Sequence, residues 1–418
     1  MTLGASNPKI ESEIDQLFSS ILIEQQKFDK LKPAESEEKK QLLQDKVAKF
    51  SKLRGRPLVY PYLSSGRGHG PFTEIIDGSV KYDLIGGIGI NLLGHSHPLL
   101  IKACLESATV DTLMAGNLMP YEDSLELLDS VVQSVKNSKL KHFWFACSGS
   151  FAGDMALKML WQKTAPKYGV IAFKNCFAGR SIGMQDITDN ANFREGMPTF
   201  LQVRYAPHFD HKDPKNSLSK TLKALDEIWA KEPDTFSTMV MELVQGEGGF
   251  VYGDKEFYQG VFEWAKKKNL YIWSDEVQTF GRTGELFAFQ TFALEKYVDI
   301  VTVGKALQLC GVFYSEELNP KAGLISGTFQ AAIPSLKAGK KVLKYLMEGN
   351  FFGQEGKIKK LEQTFLSRLN VLATTSCKDK ITYVGGLGTM ISFEVGSSSK
   401  QDTDKFLNKL FENGIVAY

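Results

Sequence analysis

"DIVTVGKALQ", Asp299 to Gln308, places a lysine just past a β-branched run, Ile300-Val301-Thr302-Val303. Such runs fill the interior strands of parallel sheets. A lysine at this point either turns out to solvent at the strand end or is held inside for its amine, at the cost of lost hydration. Runs of the same character recur upstream at "HFWFA" (142–146), "GVIAF" (169–173), "TMVMELV" (238–244) and "LYIWSDE" (270–276). Helical segments separate them, most clearly "KEFYQGVFEWAKKKN" (255–269). This alternation predicts an α/β fold with a mostly parallel sheet and a site at the carboxyl ends of its strands.

The flanks differ. Residues 8–55 carry dense charge with apolar residues at helical spacing, Ile14, Leu17 and Ile21, then Leu42, Leu43 and Val47, and predict two surface helices. After about residue 330 come two more helical segments, "LKAGKKVLKYLMEGN" and "EGKIKKLEQTFLSRLNVLA", then "TYVGGLGTMISFEV", which predicts a hairpin. The expected division is an N-terminal segment over 1–74, a large domain over 75–330 and a C-terminal domain over 331–418, with both termini forming a smaller α+β domain.

Composition narrows the function classes. With 43% hydrophobic residues, 23% charged and a net charge of +2, the chain has no field that would recruit nucleic acid or a membrane surface. Its five cysteines lack C-x-x-C spacing and suit reduced thiols. "MTLGASNPKIESEIDQLF" has no basic n-region before an apolar stretch, and no apolar run reaches the ~18 residues of a membrane span. The expected location is the cytoplasm.

Candidate chemistry lies at strand ends. Asp275 and Glu276 close a bulky apolar strand, and an ionised Asp275 held there requires a cation within a few ångströms, for which a protonated heterocyclic nitrogen would serve. "CSGSFAGDMALKML" sets Ser148-Gly149-Ser150 between a strand and a helix beginning near Ala152, where backbone N–H groups can approach a phosphate, although caps of this kind also occur without ligands. "GGIGINLLG" (86–94) departs from dinucleotide spacing at Leu92. The histidines of "HSH" (95–97) and "HFDH" (208–211) lack partners at metal-ligand spacing and are expected to cap or pack.

"GHSHP", "CSGSFAGDMALK", "FAGRSIG", "MELVQGEGG", "SDEVQTFGRTGELFAF" and "DIVTVGKAL" occur in the order and spacing of class III aminotransferases, and from about residue 58 onward the chain resembles that family. The resemblance implies pyridoxal 5'-phosphate as cofactor and the fold type I architecture. Within the family the chain is most similar to enzymes acting on lysine, 4-aminobutyrate or ornithine, with "GKALQLCGVF" and "SGSFAGDMALK" closest to lysine 6-aminotransferase.

The implied roles fall on particular residues. Lys305 would link covalently to the cofactor aldehyde and shuttle the proton once displaced, and Asp275 would pair with the ring nitrogen. Gln278 would bond the ring oxygen, Val277 and Phe177 would cover the ring faces, and Gly149, Ser150 and Phe151 would form the phosphate turn. Thr328 resembles the threonine that reaches the phosphate from a neighbouring subunit, implying a homodimer with shared sites. Arg180 matches the arginine that binds a donor carboxylate, and Glu247 the glutamate that covers a second arginine until 2-oxoglutarate enters.

Three departures accompany the match. The second arginine normally lies beyond "ENGIVAY", and the stop at Tyr418 reads as a truncation because "GIVAY" has interior-strand character. Ala178 stands where the family has histidine, and "QAAIPS" replaces the usual G-G-N-P. The expected reaction moves the terminal amine of an ω-amino acid, lysine first, to 2-oxoglutarate, giving a semialdehyde and glutamate. The alternatives are 4-aminobutyrate or ornithine as donor, an aminomutase or racemase on the same scaffold, and an inactive cofactor-binding relative.

Overall fold

The computed structural model describes residues 7–111, 113–115, 118–397 and 399–418. The chain forms two compact units, one of residues up to Val110 together with Val395–Tyr418, the other of Asp111–Glu394.

In the first unit the two charged segments are helices, Pro8–Gln25 and Glu37–Arg54. The side chain of Asn7 caps the first and that of Ser36 the second, each accepting a backbone N–H of the opening turn that has no partner within the helix. Leu43 is buried, whereas Leu17 is exposed. Strands Ser64–His69, Phe72–Ile75 and Val80–Asp83 form an antiparallel meander, and Ile415–Val416 adds to it in parallel beside the third. Sequence patterning misses this meander because its first strand, "SSGRGH", has no apolar alternation. The "GGIG" stretch is a left-handed turn, with φ between 53° and 84° from Gly86 to Gly89. Asp83 anchors it by accepting the Ile85 and Gly86 N–H groups at 2.8 and 3.1 Å and contacting His95 Nε2 at 2.7 Å. His97 caps the helix Pro98–Ser107.

The second unit is built on a seven-stranded sheet of β1 (Leu140–Ala146), β2 (Gly169–Phe173), β3 (Val203–Ala206), β4 (Phe236–Met241), β5 (Tyr271–Glu276), β6 (Ile300–Val303) and β7 (Cys310–Ser315). Their order across the sheet is β1-β7-β6-β5-β4-β2-β3. The four pairings from β6 to β3 are parallel, while β7 runs antiparallel to both β6 and β1. Every residue of β2, β4 and β6 is buried, the burial expected of sheet strands covered on both faces. Helices Gly149–Thr164 and Lys255–Lys267 pack on the sheet, and Trp273, Phe173 and Phe236 are among its fully buried residues.

The antiparallel β7 escapes sequence patterning because it follows β6 after only six residues, within which Lys305 lies. Helices Ile333–Glu348 and Lys357–Thr374 and the hairpin of Ile381–Leu387 with Met390–Val395 also form. The two helices belong to the compact unit that ends at Glu394, the first packed against helix Glu122–Ser134.

Candidate active site

The β6–β7 connection holds Lys305 in an unusual backbone. Its φ is +48°, a left-handed conformation that costs a non-glycine residue roughly 1–3 kcal/mol and persists only where the surroundings enforce it. The preceding Gly304 contributes to that enforcement, since a Cβ there would lie 2.8 Å from Cys310 Sγ and 3.3 Å from a Val277 methyl. The Lys305 side chain is half-buried. Burial lowers its pKa first and the Arg282 guanidinium second, against the opposing pull of Asp275, Glu242 and Glu247.

Asp275 and Glu276 alternate across β5, and their environments separate their roles. Asp275 is buried at the strand's carboxyl end, opposite Thr302 in register. It accepts the Val277 N–H at 3.0 Å and the Thr302 hydroxyl, whose oxygen in turn accepts the Trp273 indole N–H at 3.0 Å. Burial pushes its carboxyl up to about 6 in spite of those bonds and of Lys305. A carboxylate so placed is completed by a cation. Glu276, fully buried, accepts the Ala288 and Phe289 N–H groups at 2.9 Å each and the Thr279 hydroxyl, and so fastens the loop after β5.

The next two residues turn toward the same place. Val277 lies against the Cα positions of both Gly149 and Gly304. The Gln278 amide is buried against Gly246, and its oxygen has no hydrogen-bond partner among the described residues. A buried acceptor in this state can take a hydrogen bond from a ligand at the strand ends.

The turn expected to take a phosphate is more regular than the sequence suggests. Helix Gly149–Thr164 begins at Gly149, three residues before Ala152, with Ser148 capping it through the Phe151 N–H at 3.2 Å. Its first N–H groups therefore open onto the strand end, where an anion is favoured. Ser150 Oγ accepts the Arg180 N–H at 3.0 Å. Gly179 makes that approach possible, since a Cβ there would sit 2.3 Å from the hydroxyl.

The loop carrying Phe177 and Arg180 is held from beneath by a group that motif reading did not single out. Glu242 accepts the Phe177 N–H at 2.7 Å and the Gly246 N–H at 3.1 Å, joining this loop to the turn that bears Glu247. Burial, and then Asp275, pushes its carboxyl up to about 8. The signal was an acid inside the apolar run "TMVMELV". Arg282, within "FGRTG", is a second such residue and is also buried.

The remaining predicted residues lie outside the dry centre. Arg180 is exposed, with its guanidinium 3.4 Å from the centroid of the Phe193 ring and 5.8 Å from that of Phe177. Ala178 is buried beside it, its N–H donated to Thr188 Oγ1 at 2.9 Å. Glu247 is exposed yet acts electrostatically on Lys305. Thr328 is exposed just before the strand Phe329–Ala332, and the adjoining Gly327 approaches the Phe151 ring.

These groups fit pyridoxal 5'-phosphate: a buried acid for a ring nitrogen, an unpaired amide oxygen for the ring's polar edge, a helix start for phosphate and an amine disposed toward its neutral form. The comparisons with known proteins agree. Residues 58–418 match the family model described as aminotransferase class-III. A 2-aminoadipate transaminase of Pseudomonas putida is 28% identical over 370 residues, covering 85% of this chain and 86% of its own length. An acetylornithine aminotransferase of Aquifex aeolicus is 28% identical over 359 residues, covering 79% and 89%. Among solved structures, a lysine aminotransferase from M. tuberculosis superposes with a TM-score of 0.78 at 19% identity, covering 89% of this chain and 92% of that one, a likeness of fold.

Proposed function

Because the chain belongs to the class-III aminotransferases, which work with pyridoxal 5'-phosphate, we propose that it moves the terminal amino group of an ω-amino acid, lysine foremost, to 2-oxoglutarate. The observation that carries this reading is the pairing of a dry Lys305–Asp275 centre with an exposed Arg180 on the loop bonded to Ser150. Such a layout suits a substrate whose amine reacts inside while a carboxylate stays at the rim. The printed names of relatives, which include acetylornithine, 4-aminobutyrate and 2-aminoadipate enzymes, support an elongated amino acid as donor.

When bound, the cofactor supplies an aldehyde that takes the amino group and a ring that accepts the electron pair of the broken C–H bond. The protein's part follows from its own groups. Asp275, steadied by Thr302 and the Val277 N–H, presents negative charge to the ring nitrogen and keeps it protonated. Val277 and Phe177 bound the ring faces, and Gln278 orients its edge. The first turn of helix Gly149–Thr164 takes the phosphate. Lys305 would hold the cofactor through its amine and, once freed, would carry the substrate proton; burial and Arg282 favour the neutral amine this needs. Arg180 binds the donor carboxylate in a two-bond fork.

A homodimer in the cytoplasm completes the proposal. Thr328 and the 64% exposed Phe329 beside it offer a surface through which one protomer can reach its partner's phosphate. The discriminating experiment follows loss of the cofactor's absorbance on adding lysine, ornithine, N-acetylornithine, 4-aminobutyrate or β-alanine. Lysine should bleach the protein fastest. Faster bleaching by N-acetylornithine would move the donor to the second reading, for which the relatives' names speak. Bleaching by none of them would overturn the ω-amino reading.

A further inference from the structure

Among the described residues, Arg282 is a buried cation with no carboxylate paired to it. It is 8% exposed, and burial pushes its guanidinium down to about 10. Of its five side-chain N–H donors, two find protein acceptors among the described residues, and both acceptors are uncharged: Nη1 donates to the Gln278 carbonyl at 3.2 Å and Nε to Thr389 Oγ1 at 3.3 Å. No carboxylate forms an ion pair with it among the described residues. Glu362, which accepts the Gly388 N–H at 2.7 Å, is already committed to Lys359 at 2.5 Å. Buried charges are ordinarily paired, because the hydration they lose must be replaced.

The position of this cation gives it a purpose. It stands one helical turn's length beyond Gln278, whose amide lies against Gly246, and its Cζ is 5.7 Å from the centroid of the Phe250 ring. Gly246 and Phe250 bracket the turn that carries the exposed Glu247. The guanidinium thus lies between the Gln278 edge of the site and the Glu247 turn, close enough to Lys305 to disfavour its charged form.

We propose that Arg282 is the seat for one carboxylate of a dicarboxylate acceptor, with its unpaired N–H donors closing on the anion in a two-bond fork. The assignment rests on the reading above that the acceptor is a 2-oxo dicarboxylate. It gives that acceptor a cation within the unit Asp111–Glu394, separate from the exposed Arg180.

Glutarate, which has both carboxylates and no reactive carbonyl, probes the seat by calorimetric titration of the holoenzyme. Arg282→Gln should weaken glutarate about 30-fold or more while cofactor absorbance is retained. Arg282→Lys keeps the charge, loses the fork, and should weaken it about tenfold, which covers the case of a glutamine variant that does not fold. Thr389→Val, which removes one long neutral hydrogen bond of the guanidinium but leaves the charge, should weaken glutarate clearly less than Arg282→Gln does, by under about tenfold. Wild-type affinity in Arg282→Gln, or in a folded Arg282→Lys, overturns the assignment. So does a loss in Thr389→Val as large as that in Arg282→Gln, since the turn rather than the cation would then be responsible. A wild-type holoenzyme that keeps its link to Lys305 yet does not bind glutarate overturns the acceptor reading itself, and the seat with it.

Discussion

Asp275 and Thr302 face each other in register across two parallel strands, and the Thr302 hydroxyl donates to the carboxylate while accepting from the Trp273 indole. The acid that the proposed function pairs with a ring cation is thereby fixed by a neighbour with no chemistry of its own. Thr302→Val should weaken cofactor binding about 10-fold to 100-fold, the worth of a hydrogen bond to a charged group. Thr302→Ser should restore most of it. Cofactor titration followed by absorbance checks both, and equal affinity in all three proteins would remove Thr302 from the account.

Gly304 allows Lys305 its position, because a Cβ would collide with Cys310 Sγ at 2.8 Å. Gly304→Ala should therefore lower kcat at least about tenfold while leaving the protein folded, a misplacement effect of the kind small shifts at reacting groups produce. Adding Cys310→Ala removes the sulfur and should recover part of the loss. A double variant no better than the single one would mean that the collision is not the cause.

Three buried acids at and behind the site, Asp275, Glu276 and Glu242, are pushed up to about 6, 7 and 8, chiefly by burial. In the unfolded chain such groups ionise near ~4. Between about pH 4 and pH 8 the folded state consequently binds more protons than the unfolded one, so stability falls as pH rises. Cofactor-stripped protein should show a Tm that declines from pH 5.5 to pH 8.5. Asp275→Asn should make the decline shallower, and the bound cofactor should do the same by giving Asp275 a cation. A Tm that rises across this range contradicts these pKa directions.

Arg180 is exposed, with its guanidinium over the Phe193 ring. Arg180→Lys should cost carboxylate-bearing donors about 2 kcal/mol in kcat/KM through loss of the fork. Simple amines without a carboxylate should be unaffected. If donors of both kinds lose equally, Arg180 serves the loop rather than the substrate.

Much of this arrangement was legible in the chain because it is written in local contrast. A lysine after Ile-Val-Thr-Val and an acid after Tyr-Ile-Trp-Ser stand out as charges at the ends of apolar strands, and the structure places both at the carboxyl edge of the sheet. What stayed hidden depends on contacts between distant segments. Glu242 looked like a blemish in an apolar run because its partners, Phe177 and Gly246, lie on two separate loops. Arg282 lies between the glycines of "FGRTG", and only the fold shows that it is buried with no acid beside it among the described residues. The helix start was placed three residues late because Gly149 reads as a helix breaker, whereas at a first turn its small size lets Val277 pack against it. The strand Cys310–Ser315 was missed because a tight connection hides the change of direction that makes it antiparallel.

The central claim is that Lys305 is the residue that holds the cofactor. Borohydride reduction of the holoenzyme followed by peptide mass spectrometry tests it most directly. The account predicts a cofactor-modified peptide containing Lys305 in the wild type and no modified peptide in Lys305→Ala. A reduced adduct on any other lysine, surviving in Lys305→Ala, would contradict it.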